Sequence, residues 1–492
     1  MSNFCTFKDM QRTFLLLIIV LGMKEFHAQK NAVRAYFNTV QFYDPEIGNY
    51  LELHFQFDAR STKFKATKDG LQATVFLSID IKDSLKSVFN DAYLLNSPTF
   101  SDSVVEDFYE LRRVPLPPGI HQINLRIADQ NTEKSMVQGS QLIEVLDLSK
   151  AASISHLEAI EIAVPDTTEG VFQKNGYQMV PKINAYFGTQ LSKIPFYYEV
   201  YFNSTNKKQR FFLEERVIDT EAQKELYAYH QSYEIKERDP VIPRLKTIDI
   251  APLPSGAYAY EISLINEKDS ILQTSTYTFE RGNFSADDTL DFHNVVMDPA
   301  FQTSISDDSL HFYLGSILPI AKAAENRNIR ELLKSKDFGA IRKYLQAFWN
   351  QTAPGDAYQA WIKYKEQVVY VQGLYKTNFQ QGYETDRGRV YLQYGAPSIS
   401  NLKEGSPSEY PYEVWFYNKI GKFSNRRFIF YNPDLTNNAF RLLHSDLIGE
   451  VKNPGWSQVL SRRNTVNGTV DDPNLFNQRS WGQNSNDLFR QY

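Results

Sequence analysis

A proline-rich pentapeptide occurs twice in this chain, as Pro115-Leu116-Pro117-Pro118-Gly119 and as Pro252-Leu253-Pro254-Ser255-Gly256. Each copy precedes an apolar, strand-like run, Ile120 to Ile127 in one case and Ala257 to Ile265 in the other. Each run ends in a polar turn, Asp129-Gln130-Asn131 or Asn266-Glu267-Lys268-Asp269, and leads to a closing strand, Gln141 to Val145 or Thr274 to Phe279. Proline fixes φ and withholds a ladder donor, so such a segment belongs at a sheet edge or a crossover, and the glycine turns the chain into the strand that follows. A coincidental turn motif is the alternative to duplication. The matching context after each copy favours duplication, with two tandem β modules over 30–149 and 150–282.

The period-two pattern agrees. Leu51, Leu53, Phe55 and Phe57 fall on one face of Leu51-Glu52-Leu53-His54-Phe55-Gln56-Phe57, the signature of a half-buried strand, and Ala73 to Ile81 repeats it. Short strands separated by Asp, Asn, Gly and Ser clusters predict immunoglobulin-like sandwiches. After Gly282 the pattern changes. A stretch over 283–324, containing Ser285-Ala286-Asp287-Asp288, reads as a linker with partial helix. Beyond it Ile341, Tyr344, Leu345 and Phe348 recur at helical spacing. Asp356, after Pro354-Gly355, is a candidate N-cap for a long helix whose stripe is Trp361, Tyr364, Val368, Val371 and Tyr375. The fold class expected is therefore multidomain: two all-β sandwiches, then an α+β domain in which a helical hairpin packs on a small antiparallel sheet.

The amino terminus predicts export. Phe14 to Val20 and Leu21 form an apolar run after Arg12, too short to span a bilayer and suited to a signal peptide over 1–28, with Met10 as an alternative start and cleavage after Ala28. The −3 position holds Phe26, where a small residue is preferred. Cys5, the one cysteine, lies before that run, so the mature chain would carry no thiol, no disulfide and no lipidated cysteine. No later stretch is long and apolar enough for a transmembrane segment. A formal net charge of −5 argues against nucleic acid as a ligand. The expected location is the periplasm.

The segment Gly382-Tyr383-Glu384-Thr385-Asp386-Arg387-Gly388-Arg389-Val390-Tyr391-Leu392-Gln393-Tyr394-Gly395-Ala396-Pro397, with Tyr412-Glu413-Val414-Trp415-Phe416-Tyr417 downstream, resembles the GWxTD domain family over about 325–465. Tyr383 stands where the family name expects Trp, which keeps an aromatic ring and loses the indole donor. The resemblance implies an exported bacterial protein and brings no established activity. Val390 to Tyr394, rich in β-branched and aromatic residues, is expected to be a strand beside Glu413–Tyr417, Arg427–Tyr431 and Phe440–His444. The alternative is a short helix capped by Thr385-Asp386 and ending at Gly395, a layout similar to the small lipoproteins of the outer-membrane assembly machine.

Candidate chemistry concentrates in Glu384, Thr385, Asp386, Arg387 and Arg389. In an enzymatic reading, Asp386 or Glu384 is a general acid or base and an arginine holds an anionic substrate. In a structural reading, Thr385 and Asp386 form a turn or cap and the arginines pair with carboxylates such as Glu413. The candidate binding or structural set is thus Tyr383, Thr385, Asp386, Arg387, Arg389, Glu413 and Trp415. His54, His121, His156, His230, His293, His311 and His444 are scattered singly, with no ligand-like spacing, so neither a metal nor a cofactor is expected. Asp-Ser or Asp-Thr before an apolar residue or Thr places candidate O-glycosylation at Ser84, Ser103, Thr167, Ser270, Thr289 and Ser309. That pattern is similar to the acceptor of Bacteroidetes, and a plain turn before a strand is its alternative. The polar tail, 466–492, carries Leu475, Phe476, Trp481, Leu488 and Phe489 as spaced anchors. The function expected is that of an envelope interaction or scaffold protein with an envelope or outer-membrane protein partner. The rival is a hydrolase-like enzyme or small-anion binder centred on Glu384–Arg389.

Overall fold

The computed structural model describes residues 33–464, apart from 84–85, 102–104, 134, 167, 169, 203–208, 284–289, 407 and 437. The first module contains β1 (Ala35–Asp44), β2 (Gly48–Phe57), a small hairpin of β3 (Lys65–Thr67) and β4 (Gly70–Gln72), then β5 (Thr74–Asp83), β6 (Lys86–Asn96), β7 (Phe108–Pro115), β8 (Gly119–Asp129) and β9 (Val137–Val145). Its two main sheets run β1-β2-β7 and β6-β5-β8-β9. They close on one core, in which Leu51, Leu53, Phe55 and Phe57 meet Val75, Leu77, Ile79, Ile81 and Ile123.

The second module contains β10 (Ala152–Ile154), β11 (Glu158–Pro165), β12 (Gln173–Lys174), β13 (Tyr177–Pro181), β14 (Tyr186–Phe187), β15 (Lys193–Phe202), β16 (Phe211–Asp219), β17 (Lys224–Glu234), β18 (Val241–Asp249), β19 (Gly256–Asn266) and β20 (Ile271–Arg281). In one sheet β15 pairs with β18 on one side and with β10, then β11, on the other. The facing sheet is β17-β16-β19-β20, extended by β14. Thus β10/β11, β15 and β18 correspond to β1, β2 and β7, while β17, β16, β19 and β20 correspond to β6, β5, β8 and β9. The pentapeptide makes the same crossover in both modules, from β7 to β8 and from β18 to β19. Leu116 and Leu253 plug the two cores. A side chain four residues past each Pro117 or Pro254 returns to its carbonyl: His121 Nε2 lies 2.8 Å from Pro117 O, and the Tyr258 hydroxyl donates to Pro254 O at 3.0 Å.

The modules pack sheet against sheet. Val40 and Phe42 of β1 meet Ile160, Met179 and Tyr197. Gln41 N–H donates to His156 Nδ1 (3.2 Å) while His156 N–H donates to Gln41 O (3.1 Å). This junction corrects the reading of β2 as half-buried: Glu52 and His54, on the face opposite the core, are as buried as Leu51 and Leu53 because the second module covers them.

The C-terminal part holds helices α1 (Pro299–Ser304), α2 (Leu310–Ser316), α3 (Ala323–Lys334), α4 (Phe338–Thr352), α5 (Ala357–Tyr375) and α6 (Asp386–Tyr394). A sheet β21-β22-β23-β24 follows (Ile399–Lys403, Tyr412–Ile420, Phe423–Tyr431, Arg441–Ser445), then α7 (Trp456–Leu460). Ile341, Tyr344, Leu345 and Phe348 of α4 and Trp361, Tyr364, Val368 and Val371 of α5 share one core, joined by Phe301, Leu310 and Leu314 from the 283–324 stretch. Val390–Tyr394 is helix and not the expected strand, and the first strand of this sheet is β21. The β-branched and aromatic content misleads there because α6 lies between two apolar layers and carries bulky residues toward both: Val390 faces the sheet core and Leu392 the helical core. The Thr385 cap at its start and Gly395 at its end (φ +86°) define it as a helix.

This part touches the second module at three points. Lys422 Nζ pairs with Glu225 (2.6 Å), Gln223 Nε2 donates to Ile448 O (2.9 Å), and the Ala323 N–H donates to Glu221 (3.2 Å). Among the described residues, no helix is long and apolar enough to cross a membrane.

Candidate functional site

The segment singled out in the sequence forms a joint between α5, α6 and the sheet. Gly382 and Gly388 let backbones meet: a Cβ on Gly388 would lie 1.8 Å from Gly382 O, and one on Gly382 would lie 2.6 Å from Val371 O. Tyr383 stacks edge-on to Phe312 (5.6 Å between centroids) with its hydroxyl over Gly315. Glu384 accepts from the Gln381 N–H (2.7 Å) to close a capping box on the short turn Gly382–Glu384. The Thr385 hydroxyl donates to Gly382 O (2.8 Å) and accepts from the Gly388 N–H (3.1 Å), which caps α6. Asp386 accepts from the Leu442 N–H (2.7 Å) and so ties the start of α6 to β24.

Both arginines are engaged. Arg387, buried, pairs with Glu413 (2.9 Å), and its guanidinium lies between Phe440 and Tyr375, 4.1 and 4.8 Å from the ring centroids. Glu413 also accepts from the Trp415 indole N–H (2.7 Å) and the Ser400 hydroxyl (2.6 Å). Arg389 makes a two-pronged pair with Glu450, both contacts at 2.8 Å, and the Tyr394 hydroxyl donates to the same carboxylate at 2.8 Å. Although burial opposes charge on Arg389, Glu450 raises its pKa further above the usual guanidinium value. Tyr383, Thr385, Asp386, Arg387, Arg389, Glu413 and Trp415 are thus brought into one joint, in which Thr385, Asp386, both arginines, Glu413 and the Trp415 indole each have a protein partner.

A second polar cluster lies at the junction of the modules. Glu52, His54 and Glu158, each buried, converge, with His54 Nε2 3.3 Å from Glu52 Oε2 and 3.6 Å from Glu158 Oε1. Arg113, directly across the ladder from Glu52, and Lys174 both reach Glu52 Oε1, at 3.0 and 2.7 Å. The Lys174 ammonium also lies over Phe42, 3.1 Å from the ring centroid, with Tyr197 at 5.3 Å. Glu199 accepts from the Tyr201 hydroxyl (2.7 Å), from Asn175 (3.0 Å) and from Tyr197. Burial works to raise the Glu52 carboxyl, but Lys174, His54 and Arg113 together hold it well below the carboxylate range. Glu158 has burial as its dominant influence and is raised. Sequence spacing did not reveal this cluster. Glu52 and His54 share a strand face, a period-two signal open to reading, but Glu158 arrives from another module.

Of the six candidate glycosylation positions, Ser84, Ser103, Thr167 and Thr289 lie outside the described residues. Ser270 is exposed, and its N–H donates to Asn266 Oδ1 (3.0 Å). Ser309 precedes α2 and its hydroxyl accepts from that of Ser306 (3.0 Å).

A duplicated β unit followed by an α+β domain with an internally paired motif defines the class of molecule. Residues 316–459 of this chain match the GWxTD domain family. No curated protein matches the chain. Similar solved structures include a red sea bream transglutaminase (6% identity, TM-score 0.16, covering 50% of this chain and 31% of that one). A glycosyl hydrolase family 2 member from Bacteroides cellulosilyticus DSM 14838 is similar at 9% identity and TM-score 0.19, covering 47% of this chain and 28% of that one. CBD12 from CALX1.2 is similar at 11% identity and TM-score 0.12, covering 45% and 76%. This chain thus spans about a third or less of the first two.

Proposed function

We propose that this chain is an exported interaction scaffold of the bacterial envelope, acting in the periplasm through its surfaces, with two immunoglobulin-like modules that carry and orient the GWxTD domain toward an envelope or outer-membrane protein. The observation that carries this reading is the closure of the Glu384–Arg389 segment. Asp386 caps a strand, Arg387 and Arg389 are each spent on a carboxylate, and Glu384 closes a turn. A general acid or an anion site needs such a group directed at open space.

What the modules offer instead is edges. Among the described residues, both β6 and β17, each of 11 residues, pair on one side only, and Tyr227 on β17 is 77% exposed. A free edge that carries a solvent-facing aromatic, as β17 does with Tyr227, suits strand addition or side-on docking. Mild crosslinking in native envelopes, followed by purification and identification of the attached proteins, tests the reading. Reproducible capture of exported proteins supports it, and recovery as a lone monomer under every condition contradicts it.

A further inference from the structure

We infer that His54 Nε2, Glu52 Oε2 and Glu158 Oε1 form a binding site for one divalent first-row transition cation, of which Zn2+ is the representative, at the junction of the two β modules. The three ligand atoms all lie within 4.8 Å of one another. A tetrahedral zinc with metal–ligand bonds of about 2.0–2.2 Å has ligand–ligand edges of about 3.3–3.6 Å. The His54–Glu52 and His54–Glu158 separations, 3.3 and 3.6 Å, match that edge. One imidazole and two carboxylates, joined by a water, is a donor set that zinc and its neighbours accept.

Three independent features point to a ligand. Glu158 is only 5% exposed, and the imidazole nitrogen 3.6 Å away is too far for a hydrogen bond, so this carboxylate is aimed into the cluster without a donor. Glu52 is met by both Lys174 and Arg113, at 2.7 and 3.0 Å, whereas the cation nearest to the equally buried Glu158 carboxyl is His54, so a positive charge is short on the Glu158 side of the cluster. Beside the cluster a cavity of about 10 Å³, bordered by Glu52, Glu158, Lys174 and Met179, has room for a single water as the fourth ligand. The two oxygens of Glu52 are divided in the manner of a metal-bound carboxylate: Oε1 is held by Lys174 and Arg113 while Oε2 faces His54. His54 Nδ1 is buried without a partner, so an ion on Nε2 leaves an unsatisfied Nδ1–H donor, a cost that the metal bonds must offset. Because Glu52 and His54 belong to one module and Glu158 to the other, the ion would crosslink them.

The test uses the full chain with Cys5→Ser, so that no thiol competes, after chelator treatment and dialysis. Zn2+ is titrated by calorimetry and Co2+ by visible absorption. One Zn2+ per chain, a tetrahedral Co2+ spectrum and a melting temperature that rises with Zn2+ concentration are expected. Glu158→Gln, close in shape and able to remain buried, is expected to weaken Zn2+ binding by about 10–100-fold or more. His230→Gln, altering a half-exposed histidine elsewhere, is expected to leave it unchanged. Two results overturn the site: no stoichiometric binding at about 100 times the protein concentration, or equal affinity in Glu158→Gln and the parent. Should Glu158→Gln raise the melting temperature while neither protein binds metal, the missing partner of Glu158 is a proton, and the inference fails.

Discussion

At the scale of single residues, the motif is a set of contacts that no neighbour can replace. Thr385→Ala removes both the cap on α6 and a buried hydroxyl partner, and is expected to lower stability by about 1–2 kcal/mol, with Thr385→Ser recovering most of it in thermal melts. Gly388→Ala places a methyl 1.8 Å from Gly382 O, so α6 and the preceding turn must separate, at a cost of about 3 kcal/mol or more. The Arg387–Glu413 pair is the sharper case. Removing either partner leaves a buried charge alone, and Arg387→Met or Glu413→Met is each expected to cost about 3–5 kcal/mol by denaturant unfolding, with the double variant losing less than the sum. Additive losses would show that the two side chains do not depend on each other. Much of this was open to inference from the sequence. Thr385 and Asp386 were readable as a cap, and the arginines as partners of carboxylates such as Glu413. That Arg389 chooses Glu450 was not readable, because a chain separation that long carries no periodic signal.

Among the elements, the clearest sequence signal was the recurrence of Leu116 and Leu253 in their proline frames, which in space is a recurrence of the crossover between sheets. The least legible was α6, where burial on two sides calls for the β-branched and aromatic residues that a strand would also carry. Two buried histidines create a pH dependence. His156 at the module junction and His444 on β24 are both lowered to about 4, by burial first and then by Lys452, and each accepts a hydrogen bond through Nδ1, from Gln41 and Asn453 respectively. In the unfolded chain both titrate near 6.5, so the unfolded state binds more protons between those values. Stability is therefore expected to be complete above about pH 6.5 and to fall as pH drops toward about 4. Glu221, raised to about 7 by burial, acts in the opposite sense, so the informative quantity is a difference. The melting temperature of His156→Gln, followed from about pH 7 to 4.5, is expected to fall less than that of the parent, and parallel curves would contradict this. The tail, 466–492, lies outside the described residues. Truncation after Val470 is expected to leave the melting temperature of the remainder almost unchanged and to weaken partner capture, whereas a loss of several degrees with partners retained would make the tail part of the fold.

For the whole molecule, the modules and the GWxTD domain are held in one arrangement by contacts that the sequence pattern did not mark. Gln41 with His156, Lys422 with Glu225 and Gln223 with Ile448 O are each polar contacts between segments far apart in the chain. Periodicity identifies faces that must be buried but not which distant face covers them, so the sequence alone marks only one buried face of β2 and carries no signal for the Glu52–His54–Glu158 cluster. On the proposed function, the Glu384–Arg389 segment supports this arrangement while contact surfaces elsewhere bind partners. The most direct measurement removes charge and keeps geometry, because Glu384→Gln with Asp386→Asn retains acceptors for the Gln381 and Leu442 N–H groups. In quantitative crosslinking capture from native envelopes, with stability measured alongside, the double variant is predicted to match the parent in partners and to within about 1 kcal/mol in stability. Loss of partners, or of any small-ligand response, at unchanged stability would place the chemistry in this segment and contradict the account.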